Sequence, residues 1–229
     1  MQREIITIPR SLMRIMNSSW DIDWRSQSLG ETNAGTSKVV FNAFPRWVGS
    51  ANLYLKREAI LAWRAFKLSG QGQTNVYRLP LIDPIGFDYM SAAAGAGVAP
   101  TGIPFSTGET FSTGMGFEYV ATCTAALAAT AGATQIRINT APSGIVPKVG
   151  QIMGHDDWPF AVVSVTLVST GIYDLGIQMP LRSAVPSGAA IRHEGVGLFE
   201  ITEDGAGDLT YEFKHESRPV FRFREVLTR

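Results

Sequence analysis

Only one segment of this chain, residues 56–67, repeats apolar residues at the spacing of a helix; its other patterned stretches alternate every second residue and end at glycine or proline. Ala59, Ile60, Trp63 and Phe66 recur at three- and four-residue intervals, with Lys56, Arg57, Arg64 and Lys67 largely on other sides. That pattern predicts an amphipathic helix of about three turns. Ala, Leu, Glu, Lys and Arg fill most of its positions, so intrinsic propensity agrees with the pattern. Gly70 is placed to take a left-handed cap, and Gly72 to turn the chain into the next strand. A helix this short is marginal alone in water, so Ile60, Trp63 and Phe66 are expected to hold it against strands.

The strands read from period-two patterns. Val39, Phe41 and Ala43, then Leu53 and Leu55, predict two half-buried strands before the helix. Residues 134–139, 160–168 and 173–178 alternate or run β-branched, with prolines and glycines at short intervals between them. This spacing favours a compact barrel or sandwich over residues 118–194. Leu209, Tyr211 and Phe213 alternate again, as do Phe221 and Phe223 with Arg222 and Arg224. One short helix and a few strands cannot close a core by themselves. The final strands, 195–229, are therefore expected to complete a domain begun by residues 1–84, leaving 118–194 as an insertion. Residues 85–117, rich in Gly, Ala, Ser and Thr, read as an extended connection carrying the echo Phe105-Ser-Thr-Gly108 and Phe111-Ser-Thr-Gly114.

Composition narrows the function classes. With 20 basic and 20 acidic residues the net charge is +0, so nothing draws the whole chain toward nucleic acid or an anionic membrane. No specific nucleic-acid binding and no membrane insertion are expected, since no run of 18 apolar residues occurs. Charged residues interrupt both stretches where a leader's apolar core would sit, and Cys123 is the only cysteine, so folding in a reducing cytoplasm is expected.

Chemical motifs are sparse. His155-Asp156-Asp157 is the densest ligand-type cluster, but adjacent residues point different ways and the default is a polar turn. His193 and His215 are expected near strand ends. Ser143, between Pro142 and Gly144, lacks the flanks of a nucleophile elbow. Cys123 fits a small buried side chain better than a nucleophile. Glycine pairs at 70–72 and 95–97 do not precede a phosphate-binding helix in the required order. No catalytic, metal or cofactor site is expected, and the chain does not read as an enzyme. Trp47 beside Arg46 fits a core residue or an interface anchor, Trp20 and Trp24 fit contact with a partner, and Trp158 fits a contact on the inserted module.

The phrase Phe44-Pro-Arg-Trp-Val48, then Leu53-Tyr-Leu55, Glu58-Ala59, Trp63-Arg-Ala-Phe66, Gly70 and Leu79-Pro80, resembles the distal tail proteins of siphophages, related prophages and gene transfer agents. Residues 131–134, Gly150, 179–184 and Gly188 resemble the inserted module of many such proteins. The resemblance implies a mainly β protein: a split β-barrel or sandwich with one packed α-helix, plus an inserted small all-β module. It implies a homo-oligomeric ring, a hexamer, stacked between the tail tube protein and the hub or baseplate of a virion assembled in the bacterial cytoplasm. Arg46, Trp47, Arg57, Arg64, Arg222 and Arg224 are the candidate contacts between neighbours. The competing expectation is a host-surface carbohydrate-binding module with Trp158 as its stacking ring.

Overall fold

The computed structural model describes residues 3–8, 10–12, 15–31, 33, 35–40, 44–99, 101–114, 116–211 and 215–228. The chain is mainly β and divides into two compact units, Met1–Leu79 with Leu198–Arg229, and Pro80–Gly197. The first unit opens with β1 (Ile5–Thr7), β2 (Ile15–Asp23), β3 (Gln27–Glu31), β4 (Ser37–Val40), β5 (Arg46–Leu53), β6 (Leu55–Lys56), α1 (Glu58–Gly70) and β7 (Val76–Pro80). The second holds α2 (Tyr89–Gly95), β8 (Thr122–Ala125), β9 (Gln135–Asn139), β10 (Ile152–His155), β11 (Trp158–Ser169), β12 (Ile172–Gln178) and β13 (Ala190–Arg192). The chain then returns through β14 (Val196–Ile201), β15 (Glu216–Ser217) and β16 (Val220–Glu225).

The six-stranded sheet of the first unit has the order β1-β7-β14-β16-β5-β2. Its two central strands are the late ones. Without β14 and β16 the early strands would form two separate pairs, so the sheet cannot close until the last residues arrive. Its first strand is fastened by side chains: Arg3 donates to the Gln73 and Thr74 carbonyls, each at 2.9 Å, and Asn75 Oδ1 accepts from the Glu4 amide at 3.1 Å.

Helix α1 buries Ile60 and Trp63, with Phe66 half-buried. The Trp63 ring lies 5.2 Å from Phe221, and its Nε1 donates to the Gly207 carbonyl at 3.0 Å. Gly207 has φ 76, and a Cβ there would come within 3.0 Å of the indole, so glycine allows the loop to close over Trp63. The helix end corrects one expectation. Gln71, not Gly70, adopts the left-handed cap (φ 48, ψ 49); Gly70 is the last helical residue, and it is glycine because a Cβ there would fall on the phenol oxygen of Tyr77.

Gly49 lies between two aromatic neighbours, paired with Trp20 on β2 and with Phe223 on β16. The two rings reach across the glycine and meet at 4.8 Å, and Phe199 joins them at 5.8 and 5.1 Å. Trp20 is thus part of the packing over the sheet, not the partner contact expected of it. A Cβ at Gly49 would approach both Phe223 and the Ser19 carbonyl to 2.7 Å. Gly49→Ala is expected to cost about 1–3 kcal/mol through overpacking, read as a lower midpoint in denaturant unfolding.

The second unit contains a closed antiparallel barrel of six strands, ordered β10-β11-β12-β9-β8-β13. Period-two patterns direct Cys123, Ile136, Ile138, Phe160, Val162, Leu175, Ile177 and Ile191 inward, where all are buried. Residues 85–117 are more structured than an extended connection. Asp88 caps α2 by accepting from the Met90 and Ser91 amides at 3.0 and 3.3 Å. The two echoed phrases form matching turns, each closed by a glycine amide on the phenylalanine carbonyl three residues back at 2.8 Å. They bring Phe105 and Phe111 against Phe117, with ring centroids 5.0 to 5.1 Å apart and edge-to-face. At that separation the rings fill their own centre, so the trio is a self-packed surface cluster rather than a cage for a guest. Residues 209–211 form no strand, and the rest of that expected strand, 212–213, lies outside the described residues.

Candidate functional site

The most unusual surface of the first unit is the hairpin β3–β4. The β2–β5 pairing runs to Asp23 opposite Arg46, and the same two chain segments then continue as β3 and β4, with Gln27 opposite Val40 and Ser28 opposite Val39. Every residue of both strands is exposed, including Leu29, Val39 and Val40. The half-burial expected at Val39 is therefore corrected, and Phe41 and Ala43 lie outside the described residues. A two-stranded ribbon has no face to bury and is marginal in water by itself. Sequence reasoning missed this because alternation around Val39 looks the same whether the apolar face meets a core or a neighbour.

The candidate contact residues lie in different settings. Trp47 is 2% exposed and its amide donates to Glu225 Oε2 at 3.1 Å, so its ring belongs to the core and is unavailable to a neighbour. Arg46 pairs with Asp23 at 3.2 Å. Arg224 donates to Glu200 at 2.6 Å, and Arg3 reaches the same carboxylate at 2.9 Å. Burial pushes the Glu200 carboxyl up, but these two guanidinium groups outweigh it and hold the group below the usual carboxylate range. Arg224 is thereby committed within the sheet. Arg57 is exposed, in a left-handed conformation (φ 46) just ahead of α1. Arg64 is exposed, bonded to the Tyr211 hydroxyl and 5.6 Å from its ring centre. Arg222 is exposed, with Glu203 at 4.0 Å. Sheet register puts Arg46, Arg222 and Arg224 on one face of the sheet, each beside a carboxylate, while Arg57 and Arg64 belong to the start and the exposed side of α1.

On the second unit Trp158 is half-buried and shares a cleft with His155, Met179, Arg182, Ser183 and Val185, enclosing about 10 Å³. That is room for about one water molecule. His155 Nδ1 lies 2.9 Å from the Ala190 carbonyl and Nε2 lies 3.5 Å from Asp156. Among the described residues no three His, Cys, Asp or Glu side chains converge as a metal site.

One pairing was not visible in the sequence: Ser143 Oγ sits 2.9 Å from His193 Nε2. The imidazole is fully buried, stacks on Phe87 at 5.8 Å, and its Nδ1 has no partner among the described residues. Burial pulls its pKa down to about 4, so the ring is neutral at pH 7. A catalytic histidine of the triad type has an orienting group on its second nitrogen, and none stands there among the described residues. The Ser143 hydroxyl also accepts from the Ile145 amide at 3.2 Å, and Gln151 Nε2 donates to the His193 carbonyl at 2.8 Å. These bonds tie loop 140–145 and β10 to the end of β13. Cys123 is fully buried, and burial raises its thiol to about 12, which leaves it unreactive.

No known family model matches this chain, and no curated protein matches it. No helix among the described residues is long and apolar enough to cross a membrane.

Proposed function

We propose that the chain is a structural protein of a phage tail tip, a distal tail protein whose copies close into a six-membered ring joining the tail tube to the hub or baseplate. The observation that carries this reading is the β3–β4 hairpin, a neutral ribbon with Leu29, Val39 and Val40 exposed, running on from the edge strand β2. Such a ribbon gains stability by lying on another subunit. A head-to-tail contact of arm onto neighbour closes a ring when the rotation closes. A permanent contact of this kind buries at least roughly 1,000 Å². Exposed Arg57, Arg64 and Arg222 are then available to its rim. The host-glycan reading ranks second, because its stacking ring, Trp158, is half-buried.

Negative-stain microscopy with mass measurement tests the ring. The unaltered chain should give rings. Leu29→Asp with Val39→Asp should keep the same circular dichroism spectrum, give no rings and sediment no larger than a dimer. Rings of unchanged size from that double variant would remove the arm from the assembly and with it this reading.

A further inference from the structure

Strand β11 outruns its partner on one side. β10 pairs with it only from Trp158 to Ala161, and Val162 makes the last backbone bonds on that side, with Gly150 and Gln151 at 2.7 and 2.9 Å. From residue 163 to 169 it is held by β12 alone, and among the described residues no backbone hydrogen bond forms along its other edge. Val163 is 52%, Leu167 64% and Val168 46% exposed. No charged residue and no proline occurs from 160 to 173. Natural proteins block open edges with charge, proline or bulges; here bulges lie between Val162 and Ser164 and between Leu167 and Ser169, leaving residues 164–167 regular. An uncharged, β-branched edge with free donors and acceptors is a template for another strand.

We propose that this edge pairs antiparallel with the same edge of a second copy of the chain, about a two-fold axis at Thr166. Centred there, Val165 faces Leu167 of the second copy, Leu167 faces its Val165, and the two Thr166 side chains face each other. Apolar and Thr–Thr cross-strand pairs of this kind are favourable. Asp174, opposite Thr166 on β12, is bound to Arg137 on β9 through two bonds of 2.6 and 2.7 Å, so it sets no unpaired charge beside the axis. A partner strand rich in one sign of charge would gain nothing from such a neutral edge, whereas a self-complementary one loses nothing. The contact uses the second unit and does not depend on the β3–β4 arm.

Cysteine cross-linking of the full chain tests it, since Cys123 is buried and contributes no background. Directly opposed residues of an antiparallel pair have Cα atoms within disulfide reach. Thr166→Cys should therefore oxidise to a covalent dimer on the order of ten times faster than exposed Thr107→Cys, because pairing raises the effective thiol concentration. Ser164→Cys, off the axis, should behave like Thr107→Cys. The same rates should hold in the Leu29→Asp, Val39→Asp background, which separates this contact from the ring. A Thr166→Cys chain that oxidises no faster than either control would overturn the proposal.

Discussion

Trp63→Ala is expected to lower the unfolding free energy by about 3–5 kcal/mol, the usual cost of deleting a large core aromatic. Three contributions coincide at this residue. The indole fills the space between α1 and the sheet, touches Phe221, and gives the Gly207 loop its hydrogen bond. Removing it leaves the Gly207 carbonyl without that donor and enlarges a small apolar cavity already bounded by Ile8, Phe66, Tyr77 and Phe199. Denaturant unfolding checks the figure. A shift below about 1 kcal/mol would show that α1 is held by something other than its indole.

Acidification should weaken the second unit through His193. The imidazole pKa is about 4 in the fold and 6.5 when the chain is open. Above pH 6.5 both states are neutral and the residue contributes no pH dependence. Between 6.5 and 4 the unfolded chain takes up a proton that the fold refuses, so stability falls as pH falls. Each pH unit costs about 1.4 kcal/mol, about 3 kcal/mol across the window. Below pH 4 the penalty is constant. Scanning calorimetry from pH 7 to 4.5 should show this loss in the unaltered chain and largely abolish it in His193→Gln, an uncharged replacement. Equal pH dependence in both proteins would move the acid sensitivity elsewhere.

The parts legible in the sequence were those where one period dominates. The 3.6-residue stripe of Ile60, Trp63 and Phe66 marked α1, and period-two runs marked β9, most of β11 and β12, and β16. What stayed hidden depends on contacts between distant residues. Gly70 looked like a cap because its spacing is right; that Tyr77 occupies its Cβ position is known only once β7 is placed. Trp47 and Trp20 could not be assigned a face until β16 was seen between β14 and β5. The α2 helix carries no apolar stripe, only small residues behind the Asp88 cap. Ser143 and His193 are 50 residues apart, and no local pattern joins them. Of the arm, only the stretch around Val39 carried a strand pattern and nothing marked Gln27–Glu31; the exposure of both stayed hidden, since alternation reports which residues share a face and not what that face meets.

The most direct measurement is electron microscopy of tails assembled with and without this chain. The tail-tip reading predicts that tails made without it end in bare tubes lacking hub and baseplate, and that restoring the chain restores the tip. Tails with a normal tip in its complete absence would contradict that reading.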